Sequence, residues 1–88
     1  MGADVTLYTT RFCPYCIRAK RLLDSKGVAY TEIPVDAEPE KRQEMMQRSG
    51  RRTVPQIWVG ERHIGGCDEL YQLERQGDLD PLLAASAG

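Results

Sequence analysis

The order of secondary-structure signals over the first 35 residues constrains this chain more than any other feature. Asp4 to Thr9 alternates and is rich in β-branched and aromatic residues, the pattern of a strand half buried in a sheet. From Pro14 to Lys26 the apolar residues Ile17, Leu22 and Leu23 recur near helical spacing among good helix formers, and Gly27 stands where such a helix would stop. Val28 to Val35 reads as a second strand, with Pro34 near its end limiting pairing there. A strand, a helix and a strand in that order imply a parallel pair joined by a right-handed crossover.

The rest of the chain completes an α/β sheet. Asp36 to Glu40 puts acids and Pro39 at a helix start, and the polar helix behind them should end at Ser49-Gly50. Gln56 to Val59 and Arg62 to Ile64 flank Gly60-Glu61, which has the chemistry of a two-residue type II′ hairpin turn. A last long helix is expected to open at Cys67 or Asp68 and end near Gln76-Gly77, with a short turn following at Asp80 to Leu83. The expected architecture is a four-stranded mixed sheet, made of the parallel βαβ unit and an antiparallel hairpin, covered by helices. A length of 88 residues suits one domain over 1–88, and the small residues Ala84 to Gly88 are expected to form a disordered tail.

Composition narrows the function. With 12 basic residues against 13 acidic ones and a net charge of −1, the chain lacks the footprint of a general nucleic-acid binder. No apolar run approaches the roughly 18–20 residues of a membrane span, and no apolar stretch opens the chain as a signal peptide would. Met1 to Thr6 does match the spacing of a myristoylation site, but Val5 and Leu7 belong to the strand pattern and no second anchoring signal accompanies them. The expected location is therefore the cytoplasm. Three cysteines are too few, and odd in number, for a disulfide framework, which points to a reducing compartment where a cysteine is kept for its chemistry. Charge is unevenly spread: Arg11 to Leu23 carries Arg11, Arg18, Lys20 and Arg21 with no acid, whereas from Glu61 onward six acids face two arginines. A local positive field suits a thiolate or a small anionic ligand, although a solvated helix face reads the same way.

Cys13-Pro14-Tyr15-Cys16 is the strongest chemical signal, because it lies where a strand hands over to a helix. At a helix N-terminus, unsatisfied backbone N–H groups and the positive end of the macrodipole stabilise an anion. The thiolate is the nucleophilic form of cysteine, so Cys13 is the expected attacker. Cys16, inside the first turn and less exposed, is the expected resolving thiol. Pro14 fits the first turn and keeps Cys13 extended, while Arg11, Arg18 and Arg21 add to the field. A zinc site built from Cys13, Cys16, His63 and Cys67 is the competing reading, weakened by the long spacer between the two pairs.

Two further segments bear on what the thiol would meet. In Arg52-Thr53-Val54-Pro55-Gln56, a cis-proline would leave the Val54 backbone N–H and C=O facing a peptide-like substrate that approaches Cys13 by strand addition; the plain alternative is a proline that starts an edge strand. In Gly65-Gly66-Cys67-Asp68-Glu69, the glycines permit close approach and the first N–H groups of the helix can receive a carboxylate. Asp68 can accept a hydrogen bond from an ammonium, so the pair would hold an α-amino acid end; ordinary N-capping by Asp68 is the alternative. Cys67 is expected to be a partly buried packing residue, with a dimer-forming or regulatory disulfide as its other use.

Cys13-Pro14-Tyr15-Cys16, Thr53-Val54-Pro55 and Gly65-Gly66-Cys67-Asp68, in this order, resemble the glutaredoxins, specifically the small bacterial dithiol type, over Val5 to about Leu83. The resemblance implies a thioredoxin fold and reduction of protein disulfides and glutathione mixed disulfides, with glutathione as co-substrate and no metal. It implies a monomer whose partners are glutathione and glutathionylated or disulfide-containing proteins. By the same resemblance Cys13 forms the mixed disulfide with glutathione and Cys16 resolves it. Thr53, Val54 and Pro55 would form the segment with the cis-proline, where Val54 pairs through its backbone with the cysteinyl part of glutathione, Gly66, Cys67 and Asp68 would take its γ-glutamyl end, and Tyr15 would line the groove. This chain departs from the family at Thr10, where a lysine commonly meets the glycyl carboxylate; Arg11 or Arg52 is expected to substitute. Cys-Pro-Tyr-Cys also differs from the monothiol Cys-Gly-Phe-Ser class associated with iron–sulfur cluster transfer. Two other readings stand beside this one: a thioredoxin-like reductant fed by a flavoprotein reductase, and a metal or iron–sulfur binding protein that catalyses nothing.

Overall fold

A computed structural model describes residues 4–86. The elements run β1 (Val5–Thr9), α1 (Pro14–Ser25), β2 (Tyr30–Pro34), α2 (Pro39–Ser49), β3 (Gln56–Val59), β4 (Arg62–Gly65), α3 (Cys67–Gln76) and α4 (Leu79–Ser86). The four strands form one sheet in the order β2-β1-β3-β4. β1 pairs in parallel with β2, Val5 opposite Tyr30 and Thr9 opposite Pro34. It pairs antiparallel with β3, Val5 opposite Val59 and Tyr8 opposite Gln56, and β3 pairs antiparallel with β4. The sheet is thus the mixed one expected, with its parallel pair between the first two strands. Gly60 turns the hairpin at φ 62°, and no non-glycine residue among those described has positive φ, as a type II′ turn requires of Gly60-Glu61.

Alternation along the strands divides the core into two layers. Val5 and Leu7 of β1 and Ile57 and Val59 of β3 pack against Ala19, Leu22 and Leu23 of α1, Leu70 of α3, and Leu79 and Leu83 of α4. On the other face Tyr8 and Trp58 pack against Val35 and against Met45 of α2. The central strands β1 and β3 are buried on both faces, whereas the edge strand β2 is largely exposed. This arrangement brings the C-terminal end of β1, the start of α1, the entry to β3 and the start of α3 to one end of the molecule.

Two differences from the expected elements have local causes. β2 begins at Tyr30 rather than Val28, because α1 ends in a Schellman turn. Gly27 N–H bonds to the Asp24 carbonyl at 3.0 Å and Val28 N–H to the Leu23 carbonyl at 3.4 Å, so Val28 closes the helix instead of opening the strand. The segment after α3 is a helix of 8 residues rather than a short turn, and Ala84 to Ser86, expected in a disordered tail, belong to it. Alanine has the highest helix propensity, and Leu79 and Leu83, one turn apart, anchor that helix in the core. Ala87 and Gly88 of the expected tail, and Met1 to Ala3 of the myristoylation motif, lie outside the described residues. Among the described residues no helix is long and apolar enough to cross a membrane.

Candidate active site

α1 starts at the sulfur of Cys13. Pro14 occupies its first turn, where a missing N–H leaves no carbonyl unpaired, and Cys13 is the N-cap in extended backbone at φ −117° and ψ 106°. The Cys13 Sγ accepts the Cys16 N–H at 3.1 Å, the bond that a serine or aspartate oxygen makes at other helix starts. As a thiol, Cys13 also donates to the Val54 carbonyl at 3.7 Å. No acidic side chain stands in the first turn of α1 to oppose a negative sulfur.

The second thiol differs in kind. Cys16 is 1% exposed against 7% for Cys13. Burial first, then its hydrogen bond to Cys13 and the charge of Cys13, push the Cys16 thiol up to about 12. It is therefore held protonated behind the first thiol. Cys67 is buried as well, and burial pushes its thiol up. Among the described residues all three cysteines are free thiols.

A groove of about 420 Å³ lies beside Cys13. Tyr15, Thr53, Val54, Pro55, Gly66, Cys67 and Asp68 line it, joined by Arg51 and Glu69. The Val54–Pro55 peptide is cis. Val54 N–H finds no acceptor among the described residues, so this backbone is open to an incoming strand-like ligand. Across the groove α3 begins with Gly66 as N-cap, and Asp68 is the second residue of the helix rather than its cap. The Asp68 carboxylate is exposed and has no partner among the described residues. Capping falls to Glu69, whose Oε1 accepts the Gly66 N–H at 2.7 Å and the Arg51 Nη1–H at 3.0 Å. Gly65 makes room for this fold-back: its φ is 118°, and a Cβ there would stand 2.6 Å from Glu69 Oε1.

The two arginines expected to replace the family's lysine stand elsewhere. Arg11 turns away, its Nε 3.2 Å from Asp36 Oδ2 and its backbone N–H on the same oxygen. Arg52 is exposed and does not line the groove. Arg51, one position earlier, is the arginine that does, held there by Glu69. Sequence reasoning missed both; the spacing Gly66-x-x-Glu69 was a signal for the capping glutamate, but nothing in Arg51-Arg52 tells which arginine turns inward. Of the other basic residues near Cys13, Lys20 pairs with Glu32 at 3.0 Å and Arg18 lies over the Tyr71 ring at 5.5 Å. Of the four residues in the zinc reading, His63 is engaged with Gln56, its Nε2 2.7 Å from Gln56 Oε1. Among the described residues no cluster of three or more His, Cys, Asp or Glu side chains could hold a metal ion.

Comparison with known proteins agrees with this geometry. The glutaredoxin family model matches residues 5–64. The glutaredoxin of Pseudomonas aeruginosa is 59% identical over 81 residues, covering 92% of this chain and 96% of the relative. Glutaredoxin 3 of Escherichia coli K12 is also 59% identical over 81 residues, covering 92% of this chain and 98% of the relative. Among solved structures, a buckwheat glutaredoxin–glutathione complex superposes with a TM-score of 0.90 at 34% identity, covering 97% of this chain and 80% of that one. With this fold, and a thiol pair at the start of α1, the chain belongs to the glutaredoxin family of thiol–disulfide oxidoreductases.

Proposed function

We propose that the chain uses glutathione to reduce glutathione mixed disulfides and protein disulfides. The observation that carries this reading is the convergence on one groove of the open Val54 backbone, whose carbonyl takes the Cys13 thiol at 3.7 Å, the start of α3 with Asp68, and the Arg51 guanidinium. A groove of about 420 Å³ is in the range of small-molecule sites. Its charges suit a peptide that carries both carboxylates and an ammonium: Arg51 offers a charge-assisted pair to one carboxylate, the first N–H groups of α3 receive another, and Asp68 accepts from the ammonium. The solved buckwheat relative is a glutathione complex.

In the mechanism, the Cys13 thiolate attacks the glutathione sulfur of a glutathionylated protein. A sulfur–sulfur bond forms between Cys13 and glutathione, the old disulfide breaks, and the protein leaves as a thiolate that takes up a proton. A second glutathione thiolate then attacks the glutathione sulfur of the mixed disulfide, giving glutathione disulfide and freeing Cys13. For a protein disulfide, Cys13 forms the mixed disulfide with one of its cysteines and Cys16 attacks the Cys13 sulfur, which releases the reduced protein and leaves a Cys13–Cys16 disulfide. Two glutathione molecules reduce that disulfide and become glutathione disulfide. The order is built into the electrostatics. Part of what keeps Cys16 protonated is Cys13 itself, through its hydrogen bond and charge. Once Cys13 is tied up as a neutral disulfide that contribution is gone, and Cys16 becomes easier to ionise.

Turnover of a glutathionylated peptide tests the reading, run with glutathione and glutathione reductase in one arm and with a thioredoxin reductase in the other. Turnover in the first arm alone is expected. Turnover in the second arm alone would replace this reading with that of a thioredoxin-like reductant.

A further inference from the structure

Thr53 to Pro55 lie between α2 and β3 and belong to neither, so sheet hydrogen bonds do not hold them in place. A side chain does. Gln56, the first residue of β3, is fully buried on the face of the sheet that carries Tyr8 and Trp58. Its Nε2 donates to the Thr53 carbonyl at 3.0 Å and approaches the Thr53 Oγ1 at 3.1 Å. Its Oε1 lies 2.7 Å from His63 Nε2. Because the amide nitrogen is spent on Thr53, the oxygen must accept and His63 Nε2 must carry the proton. His63 is fixed in turn: it stands opposite Trp58 in the β3–β4 pairing, its ring centroid 4.6 Å from the indole. Burial, and after it the nearby Arg51, hold His63 below its ordinary value.

We propose that Gln56 and His63 are positioning residues, which hold Thr53, and through it the Val54 backbone, against the groove beside Cys13. The inference rests on the glutathione site proposed above and adds to it the residues that keep one wall in place. A buried amide with both ends paired is rigid, because any displacement leaves a buried polar group unpaired. His63 restrains the amide, the amide restrains Thr53, and Val54 follows with its carbonyl on Cys13 and its N–H open to ligand.

The test is steady-state kinetics with a glutathionylated peptide on the full chain and its Gln56→Met, His63→Phe and Val59→Ala variants, with amide ¹⁵N relaxation of the loop measured in parallel. Gln56→Met keeps length and removes both bonds to Thr53. His63→Phe keeps a ring on Trp58 and removes only the donor to Gln56. Val59→Ala loosens the core at the far end of β3 and controls for lost stability. Gln56→Met should raise KM for the peptide about five- to tenfold with kcat changed less than about twofold, and His63→Phe should raise it about two- to threefold. Val59→Ala should lower Tm with KM unchanged. A Gln56→Met variant that loses stability but keeps the KM of Val59→Ala overturns the proposal; if that variant does not fold, an unchanged KM in His63→Phe does the same. If the wild type fails to turn over the peptide, the proposed function falls and the positioning role is judged by relaxation alone: more mobile Thr53 and Val54 amides in the variants uphold it, and unchanged mobility overturns it.

Discussion

Two helices begin at the same groove and use their N-termini differently. α1 has a sulfur for its N-cap and no acid in its first turn, whereas α3 has a glycine for its N-cap and both Asp68 and Glu69 in its first turn. The partial positive charge of a helix start is the same in both cases. At α1 it is left to the Cys13 sulfur, through the Cys16 N–H. At α3 part of it is already met by Glu69, which closes on the Gly66 N–H and leaves Asp68 exposed to the groove. One end is thus left to a sulfur of the protein itself, and the other, under the proposed function, meets a ligand that brings an ammonium as well as a carboxylate.

Removing the sulfur breaks the comparison most completely. Cys13→Ser should reduce turnover of glutathionylated peptide and of protein disulfides to background, because no other thiol caps a helix. Cys16→Ser should keep the first activity and lose the second, and a coupled assay on both substrates reads the pair. On the α3 side, Arg51→Ala should raise KM for a glutathionylated peptide roughly five- to thirtyfold, the worth of a charge-assisted pair in a partly exposed groove. The loss should shrink as salt rises. Arg11→Ala should leave KM unchanged, since its guanidinium is engaged by Asp36.

Carrying the α3 pattern into α1 sharpens the contrast. Tyr15→Asp places an acid in the first turn of α1 and should slow alkylation of Cys13 about two- to fivefold at neutral pH, measured by mass of the modified peptide. The smallest effect concerns Glu69. The Gly66 N–H, and after it Arg51, hold the Glu69 carboxyl below its ordinary range. A carboxyl lowered in the folded state stabilises it fully above the ordinary carboxylate pKa, and that stabilisation is lost as pH falls through the folded value. Glu69→Gln should therefore lower Tm slightly at neutral pH, and its deficit relative to wild type should close below about pH 4.

How much of this was legible in the sequence depends on the range of the interaction. The strand–helix handover at Cys13 to Cys16, the Gly60-Glu61 turn and the end of α1 at Gly27 rest on near neighbours, and local chemistry is enough to read them. Val28 looked like strand because it is β-branched; its N–H belonged to the helix end, where the Schellman bond outranks side-chain preference. α4 looked like a turn because of Asp80-Pro81, yet burial of Leu79 and Leu83 carries the chain on as helix. The wall of the site was least legible. Which of two adjacent arginines turns inward is decided by Glu69, 18 residues away, and the hold on Thr53 comes through His63, which is 7 residues from Gln56 and looked like a metal ligand only because of its spacing to Cys67.

Alkylation followed cysteine by cysteine against pH tests the central claim, that the helix-capping sulfur of Cys13 acts while the more deeply buried Cys16 waits protonated behind it. The reduced protein is treated briefly with iodoacetamide at a series of pH values, and modification at Cys13, Cys16 and Cys67 is quantified by mass spectrometry. Cys13 should be modified first at every pH, while Cys16, with its thiol pushed up to about 12, should stay unmodified until strongly alkaline conditions. Modification of Cys16 or Cys67 ahead of Cys13 at neutral pH would contradict the account.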